Sequence, residues 1–234
     1  MILALETATS SCSAALFDDR GLLTAETVSH DGPAHSQLLL GGVHTVLAGA
    51  GTTIEAVDTV VVSLGPGMFT GLRIGVATAR ALAQALDLRL AGVPTLEALA
   101  GALAGGERGA SAPYLVALID GRRGEVFAAC FRRAADGVAL EPEVGLAVVA
   151  ADDLAGFLGA WPGAVVGGDG AVLYADRLPP VVAHDLTVAA PTAAMIGRTW
   201  LAGTPRALEG PSAVLPLYGR RPDAKRRAGA GAPS

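Results

Sequence analysis

Runs of apolar residues alternate with short polar turns along the first part of the chain. Residues 1–29 contain three such runs, and an Asp-Asp-Arg-Gly turn at residues 18–21 separates the last two, so the pattern predicts three strands. A fourth apolar run, over residues 59–64, leads through a glycine-rich turn into a long helix. We predict Thr70 as the N-cap of that helix, because threonine is favoured at this position.

Two predicted helices lack the charged side that a solvated helix carries. The helix over residues 35–48 has no formally charged residue, and the helix over residues 70–86 repeats a glycine or alanine every four residues. A helix that is apolar on most sides is covered on most sides, so we predict that the two helices form a protein–protein interface. The predicted interface residues are Leu39, Val43, Val46, Gly71, Arg73, Gly75 and Ala79. Since a cation in the first helical turn opposes the helix dipole, we expect a carboxylate or another chain to compensate Arg73.

The second part of the chain contains the same kinds of segment. A glycine- and alanine-rich stretch over residues 101–113 is a candidate linker. The patterns predict strands over residues 88–94, 114–120, 124–133 and 137–145, a strand and turn over 164–170, and helices over 95–103, 151–158 and 192–201.

A short internal repeat relates the two parts. Residues 4–17 align with residues 118–131 without a gap, which places Glu6 over Asp120. Each copy continues through a third strand to a helix, so the repeat predicts a duplicated, two-lobed α/β protein with both acids at equivalent strand ends facing a cleft. We predict a first lobe over residues 1–104, a second over 105–218, and a basic tail over 219–234 that we expect to be disordered.

Composition excludes several classes of protein. The chain has 234 residues, of which 51% are hydrophobic and 17% charged, and this favours a folded domain over a disordered chain. The net charge of −5 does not support a nucleic-acid binder that acts alone. Cys12 and Cys130 lie in apolar runs, which predicts buried free thiols in a reducing cytosol. We see no signal peptide and no apolar span long enough for a membrane, and therefore expect a cytoplasmic protein.

The glycine-rich turn resembles three functional motifs without matching any. A P-loop requires Gly-Lys-Ser/Thr, whereas Gly71 is followed by Leu72 and Arg73. A dinucleotide fingerprint needs a shorter last spacing and a later acid, and a nucleophile elbow needs a Gly-x-Ser-x-Gly sequence. These departures favour a turn that serves packing over one that binds phosphate directly.

Together the segments resemble the TsaB (YeaZ) family over nearly the whole length. The most specific are ILALETATS at the start, HSQLLL in the first helix and SLGPGMFTGLRIGVATARALA in the centre, and a GDGA turn near residue 169 supports them. The resemblance implies an actin-like fold of the sugar-kinase, heat-shock-ATPase and ribonuclease-H-like class. It also implies a part in making threonylcarbamoyladenosine beside the anticodon of tRNAs that read codons beginning with A.

The same resemblance implies a scaffold and not a catalyst. Members pair with a related catalytic subunit, TsaD, and a small ATPase, TsaE, joins them. On this basis we expect ATP and a metal on the partner subunits, tRNA contact only within the complex, and a homodimer when the chain is alone.

Individual residues agree with that role. ATP-using relatives carry an Asp-x-Gly-Thr-type phosphate loop at the first hairpin, whereas this chain has Ala8 in place of the loop glycine. The catalytic relative binds metal through His-x-x-x-His, a spacing that the four histidines do not take (His30, His35, His44 and His184). We therefore predict no catalytic, cofactor-binding or metal-binding residue, and leave Glu6 and Asp120 as cleft acids of unassigned role.

Two enzyme classes stay open as alternatives, so catalysis by the chain itself is left undecided. One is an ATP-dependent kinase or hydrolase of the actin-like fold, which nucleotide-dependent thermal stabilisation of the isolated protein would favour. The other is a glycoprotease-like peptidase, although no serine or cysteine lies in a recognisable nucleophile–base context.

Overall fold

The computed structural model describes residues 1–29, 35–134, 137, 139–203 and 207–220. The strands are β1 Ile2–Glu6, β2 Cys12–Phe17, β3 Leu23–Ser29, β4 Thr59–Gly65, β5 Arg89–Pro94, β6 Tyr114–Arg122, β7 Glu125–Arg133, β8 Leu140–Ala150, β9 Val165–Gly167, β10 Ala183–His184 and β11 Leu208–Glu209. The helices are α1 His35–Gly49, α2 Phe69–Leu86, α3 Thr95–Gly105, α4 Leu154–Gly159, α5 Asp169–Leu173 and α6 Ala193–Leu201.

Two mixed sheets repeat one topology. The first has the strand order β11-β5-β4-β1-β2-β3, and the second has the order β10-β9-β6-β7-β8. In each, an antiparallel meander (β1 to β3, β6 to β8) continues into two strands (β4 and β5, β9 and β10) that run parallel to the first strand of the meander. In the first sheet, β11 adds an antiparallel edge. The repeated order confirms the predicted duplicated α/β fold of the actin-like class. It also places Glu6 and Asp120 near the same end of equivalent strands, β1 and β6.

The two sheets exchange covering elements. Helix α6 packs on β1, β2 and β4 of the first sheet, and β11 pairs with β5. Helix α3 in turn contributes Leu99 and Leu103 to an apolar cluster that includes Leu115 and Phe127 of the second sheet. The late part of the chain therefore returns to the first sheet, while the lobe division at residue 104 stays a prediction.

Most predicted elements are present with small differences at their ends. Helix α2 begins at Phe69, so the N-cap prediction for Thr70 is wrong; Met68 takes that position without a side-chain hydrogen bond. The Met68 N–H instead donates to the carbonyl of Ala8 at 2.6 Å, so a backbone contact sets the start of the helix. Thr192 does cap α6, and its hydroxyl accepts from the Met195 N–H. The tail beyond residue 220 lies outside the described residues, and so does the prediction of its disorder.

The small-residue face of α2 packs against the loop between β1 and β2. The hydroxyl of Thr7 donates to the carbonyl of Gly71 at 2.8 Å. A Cβ at Gly75 would lie 2.2 Å from Thr7 Oγ1, and one at Gly67 would lie 2.1 Å from the Ala8 carbonyl oxygen. Only glycine allows these approaches. The small-residue face of α2 is therefore covered by the β1–β2 loop of the same chain.

Replacement of Gly75 by leucine should destabilise the isolated protein, because the new side chain would overlap Thr7. We expect a loss of about 1–3 kcal/mol or more in the free energy of unfolding, measured by urea denaturation. Gly41→Leu is the matched control, since a Cβ there meets nothing within 4 Å and leucine favours a helix over glycine by roughly 1 kcal/mol. Equal stability of the two variants would contradict the packing described here.

Candidate functional site

The loop between β1 and β2 is closed by the chain's own backbone. Thr7, Ala8, Thr9 and Ser11 are buried. The Ala8 carbonyl accepts from the Met68 N–H, and the Ala8 N–H donates to Glu6 Oε1. A phosphate at this loop would have to displace contacts that the glycine-rich turn already makes.

Glu6 is buried at the floor of the cleft. Its side chain has no exposed area, and among the described residues its Oε2 has no hydrogen-bond partner of good geometry. Loss of hydration raises the pKa of Glu6 to about 7, and the negative charge of Asp169 acts in the same direction. The nearby Ser63 hydroxyl and the Ala8 N–H oppose the rise in pKa without cancelling it. Glu6 is therefore an acid poised between its protonated and ionised forms near neutral pH.

Asp169 is a third cleft acid to which the sequence analysis assigned no role. It is the first residue of α5, and its Oδ1 accepts from the backbone N–H of Asp120 at 2.9 Å. Burial raises the pKa of Asp169 to about 6. The signal was available in the GDGA turn: β9 runs parallel to β6, so an acid just beyond β9 meets the end of β6 at one sheet edge.

Asp120 is neutralised within its own turn. Its Oδ1 accepts from the Arg122 N–H at 2.8 Å, and its Oδ2 lies 3.2 Å from the Arg122 guanidinium. The cleft thus holds two acids, Glu6 and Asp169, whose charges repel, and a third acid with a cation beside it.

A cavity of about 240 Å³, which Asp120 helps to line, lies at the mouth of the cleft. Its lining combines the glycine-rich loop, the β6–β7 turn and the chain's last described segment, with the residues Gly67, Met68, Phe69, Asp120, Gly121, Arg122, Arg123, Phe127, Tyr218, Gly219 and Arg220.

Arg73 finds its partner beside this cavity. Its guanidinium lies 3.9 Å from the centre of the Phe69 ring, and its Nε donates to the hydroxyl of Tyr218 at 3.0 Å. Because α2 begins at Phe69, Arg73 lies beyond the first turn of the helix, and not within it as the sequence predicted. Within the described residues, two aromatic side chains contact its guanidinium, while a contact with another chain stays a prediction.

The structure places most predicted interface residues inside the chain. Leu39, Val43 and Val46 belong to the apolar core under the first sheet, and Gly71, Gly75 and Ala79 form the buried face of α2; only Arg73 is exposed. These buried side chains pack internally, while the location of a partner interface on the two helices stays a prediction.

The outer faces of the same helices are nearly free of charge. Within residues 38–49 and 69–86, Arg73 is the one exposed residue with a formal charge. The other exposed positions are Leu40, Gly41, His44, Thr45, Ala48 and Gly49 of α1, and Phe69, Thr70, Ala77, Ala81, Gln84, Ala85 and Leu86 of α2.

Other candidate groups are placed without forming a site. Cys12 and Cys130 are both buried, as predicted. In the part of the chain that the structure describes, no three His, Cys, Asp or Glu side chains come together as metal ligands, and no helix has the length and apolarity to cross a membrane.

The buried acids make stability depend on pH in a defined direction. The ordinary pKa of Glu6 is 4.5, so the folded state holds a proton that the unfolded chain releases, and the free energy of unfolding falls as pH rises from 4.5 to about 7. Asp169 adds to this decline in the free energy of unfolding between pH 3.8 and about pH 6.

Glu6→Gln should make the free energy of unfolding depend less on pH and should stabilise the protein at pH 8, by on the order of 3 kcal/mol. Urea denaturation between pH 4 and pH 8 measures the free energy of unfolding. The control Glu55→Gln, at an exposed position, should keep the decline of the wild type. A decline that is unchanged in Glu6→Gln would show that Glu6 does not cause it.

Comparisons with known proteins place the chain in a family. Residues 29–163 match the family model described as TsaD, tRNA N6-adenosine threonylcarbamoyltransferase. The chain is 36% identical to the uncharacterized protein Rv3421c of Mycobacterium tuberculosis over 96% of its own length and 93% of that protein. It is 37% identical to the tRNA threonylcarbamoyladenosine biosynthesis protein TsaB of Escherichia coli, over 58% of this chain and 57% of that one. The solved structure of YeaZ from Pseudomonas aeruginosa superposes with a TM-score of 0.74 at 31% identity, over 93% of this chain and 98% of that chain. By this likeness in sequence and fold, the chain belongs to the TsaB (YeaZ) family.

Proposed function

We propose that this chain is the non-catalytic scaffold subunit of the complex that installs threonylcarbamoyl on the adenosine beside the anticodon, in tRNAs that read codons beginning with A. Family membership supports the pathway. The observation that carries the scaffold role is the loop between β1 and β2, whose backbone is bonded to the glycine-rich loop and to Glu6. In this proposal the chain supports a catalytic subunit and does not carry out the transfer.

The closed loop argues against a nucleotide in the cleft floor. Backbone N–H groups that face a phosphate are what makes a glycine-rich loop bind anions. Here the Ala8 N–H donates to a carboxylate, and Gly67 lies against the Ala8 carbonyl. ATP and a metal then belong on the partner subunits, TsaE and TsaD, and tRNA meets the chain only within the complex.

The nearly uncharged outer faces of α1 and α2 are the surface for TsaD. A solvated helix normally carries charged residues on its outer side, and apart from Arg73 the described parts of these faces carry small and neutral residues instead. TsaD belongs to the family whose model matches this chain, so an equivalent pair of helices on each subunit could meet about a pseudo-two-fold axis. The same surface would pair two copies of this chain when TsaD is absent, as expected of a cytoplasmic homodimer.

The purified chain alone should neither modify tRNA nor hydrolyse ATP at a useful rate. The reason is that its loop lacks both the glycine and the open backbone that a γ-phosphate would need. Radiolabelled threonine incorporation and phosphate release measure the two activities. Robust turnover by the isolated chain that Glu6→Ala abolishes would contradict the proposal and favour the kinase or hydrolase alternative.

Bulk or charge on the outer face of α1 should weaken TsaD binding without unfolding the chain. Gly41→Leu adds a side chain into open space, and we expect it to overpack the interface at a cost of about 1–3 kcal/mol. His44→Glu should cost more, because it strands a carboxylate in an uncharged contact. Calorimetry with TsaD measures binding, and circular dichroism checks folding.

The matched control is Gly156→Leu, on the exposed side of α4, where a Cβ likewise meets nothing within 4 Å. It should bind TsaD as the wild type does. Gly75 and Val43 are unsuitable positions for this test, because both are buried within the chain and their substitution reports on folding. Folded α1 variants with wild-type affinity would show that TsaD binds elsewhere.

A further inference from the structure

The turn between β6 and β7 holds two arginines in a conformation that arginine rarely adopts. Arg122 and Arg123 have φ values of 62° and 58°, and Gly124 follows with 78°. Asparagine and glycine are the residues that such left-handed turns favour. Both arginine side chains are exposed at the mouth of the cleft. Strained backbone of this kind concentrates at functional sites, and the chemical property that arginine adds here is a positive charge.

An exposed aromatic pair lies across the cavity from this turn. The rings of Phe69 and Tyr218 have centres 5.1 Å apart and are tilted by 31°. Their side chains are 47% and 37% exposed, although large aromatic residues are usually buried. Arg73 lies over the Phe69 ring. The mouth therefore presents two aromatic rings and a guanidinium plane, and both kinds of surface can stack on an unstacked base.

Arginines are concentrated at the mouth, although the chain has a net charge of −5. Four of them lie in or beside the lining of the cavity: Arg73, Arg122, Arg123 and Arg220. Arg122 pairs with Asp120, and Arg220 pairs with Glu125. Arg122 and Arg123 are exposed to the solvent, where their guanidinium groups can meet phosphate groups.

We propose that this mouth binds an unpaired stretch of RNA, with a base against Phe69 and Tyr218 and the flanking phosphates against Arg73, Arg122, Arg123 and Arg220. The inference rests on the proposed function, which brings tRNA to the assembled complex. Stacking surfaces combined with cations are typical of sites for single-stranded nucleic acid. A cavity of about 240 Å³ accepts a single base and excludes a duplex.

Binding of a labelled RNA hairpin with an unpaired loop tests the proposal. Contacts with phosphate strengthen as salt is lowered, so at low salt the full chain alone should show as weak binding the contact that we propose within the complex. Fluorescence anisotropy at low salt, and then over a series of KCl concentrations, gives the affinity and its salt dependence. We expect Arg123→Asn, which suits the left-handed backbone, to weaken binding about ten-fold and to reduce the salt slope by about one. Tyr218→Leu should weaken binding about ten-fold through lost stacking while the salt slope stays unchanged. Arg123 lies off α1 and α2, and hence away from the surface proposed for TsaD. Tyr218 contacts Phe69 and Arg73 at the start of α2, so calorimetry with TsaD is also run on Tyr218→Leu.

A second arginine–aromatic pair is the matched control. Arg89 lies 5.9 Å from the ring centre of Trp200, at the opposite end of β5 from the glycine-rich loop. Arg89→Gln and Trp200→Leu should leave RNA affinity unchanged, and circular dichroism confirms that every variant is folded.

Several outcomes would overturn the inference. Two concern the protein: the wild type does not bind the hairpin, or the control variants lose as much RNA affinity as the cleft variants do. Two concern the ligand: a fully paired RNA or polyglutamate binds as tightly as the hairpin, or AMP competes as effectively as the hairpin does. Loss of all binding on deletion of residues 222–234, with cleft variants unaffected, would assign the affinity to the basic tail instead. Calorimetry with TsaD separates the two proposals: wild type that fails to bind TsaD refutes the scaffold role, while the RNA titration still decides this one.

Discussion

The contact between the glycine-rich loop and the first hairpin is the constraint on which the rest of the structure depends. Gly67 and Gly75 let α2 and its preceding turn approach Thr7 and Ala8 more closely than any side chain would permit. This approach fixes where α2 begins and buries the loop that binds phosphate in ATP-using proteins of the fold. One packing interaction thus determines both the shape of the first lobe and the closed state of the cleft floor.

The C-terminal segment extends this constraint to the second lobe. Val214 is fully buried in the first core, and the Leu217 N–H donates to the carbonyl of Leu64 beside the glycine-rich turn. Three residues later, Arg220 donates to the Gly121 carbonyl and pairs with Glu125 on the second sheet. A single segment therefore joins both lobes across the mouth of the cleft. This tie holds the glycine-rich turn and the β6–β7 turn on either side of the mouth.

The cleft acids are held in a state unusual for carboxylates. Burial raises the pKa of Glu6 to about 7, and no polar group of good geometry in the described residues meets its Oε2. An acid in this state destabilises the fold at neutral pH. The exposed chemistry lies instead at the mouth, where arginines and aromatic rings face the solvent.

The sequence by itself determined the strands, the helices, the duplication and the family, because apolar periodicity and a long specific motif are local properties. It also predicted that α1 and α2 are covered on several sides. Whether that cover comes from the same chain or from another depends on how distant segments stack, and periodicity carries no such information. Only the tertiary structure therefore placed Gly75 against Thr7, paired Arg73 with Phe69, and brought Asp169 beside residues almost 50 positions away.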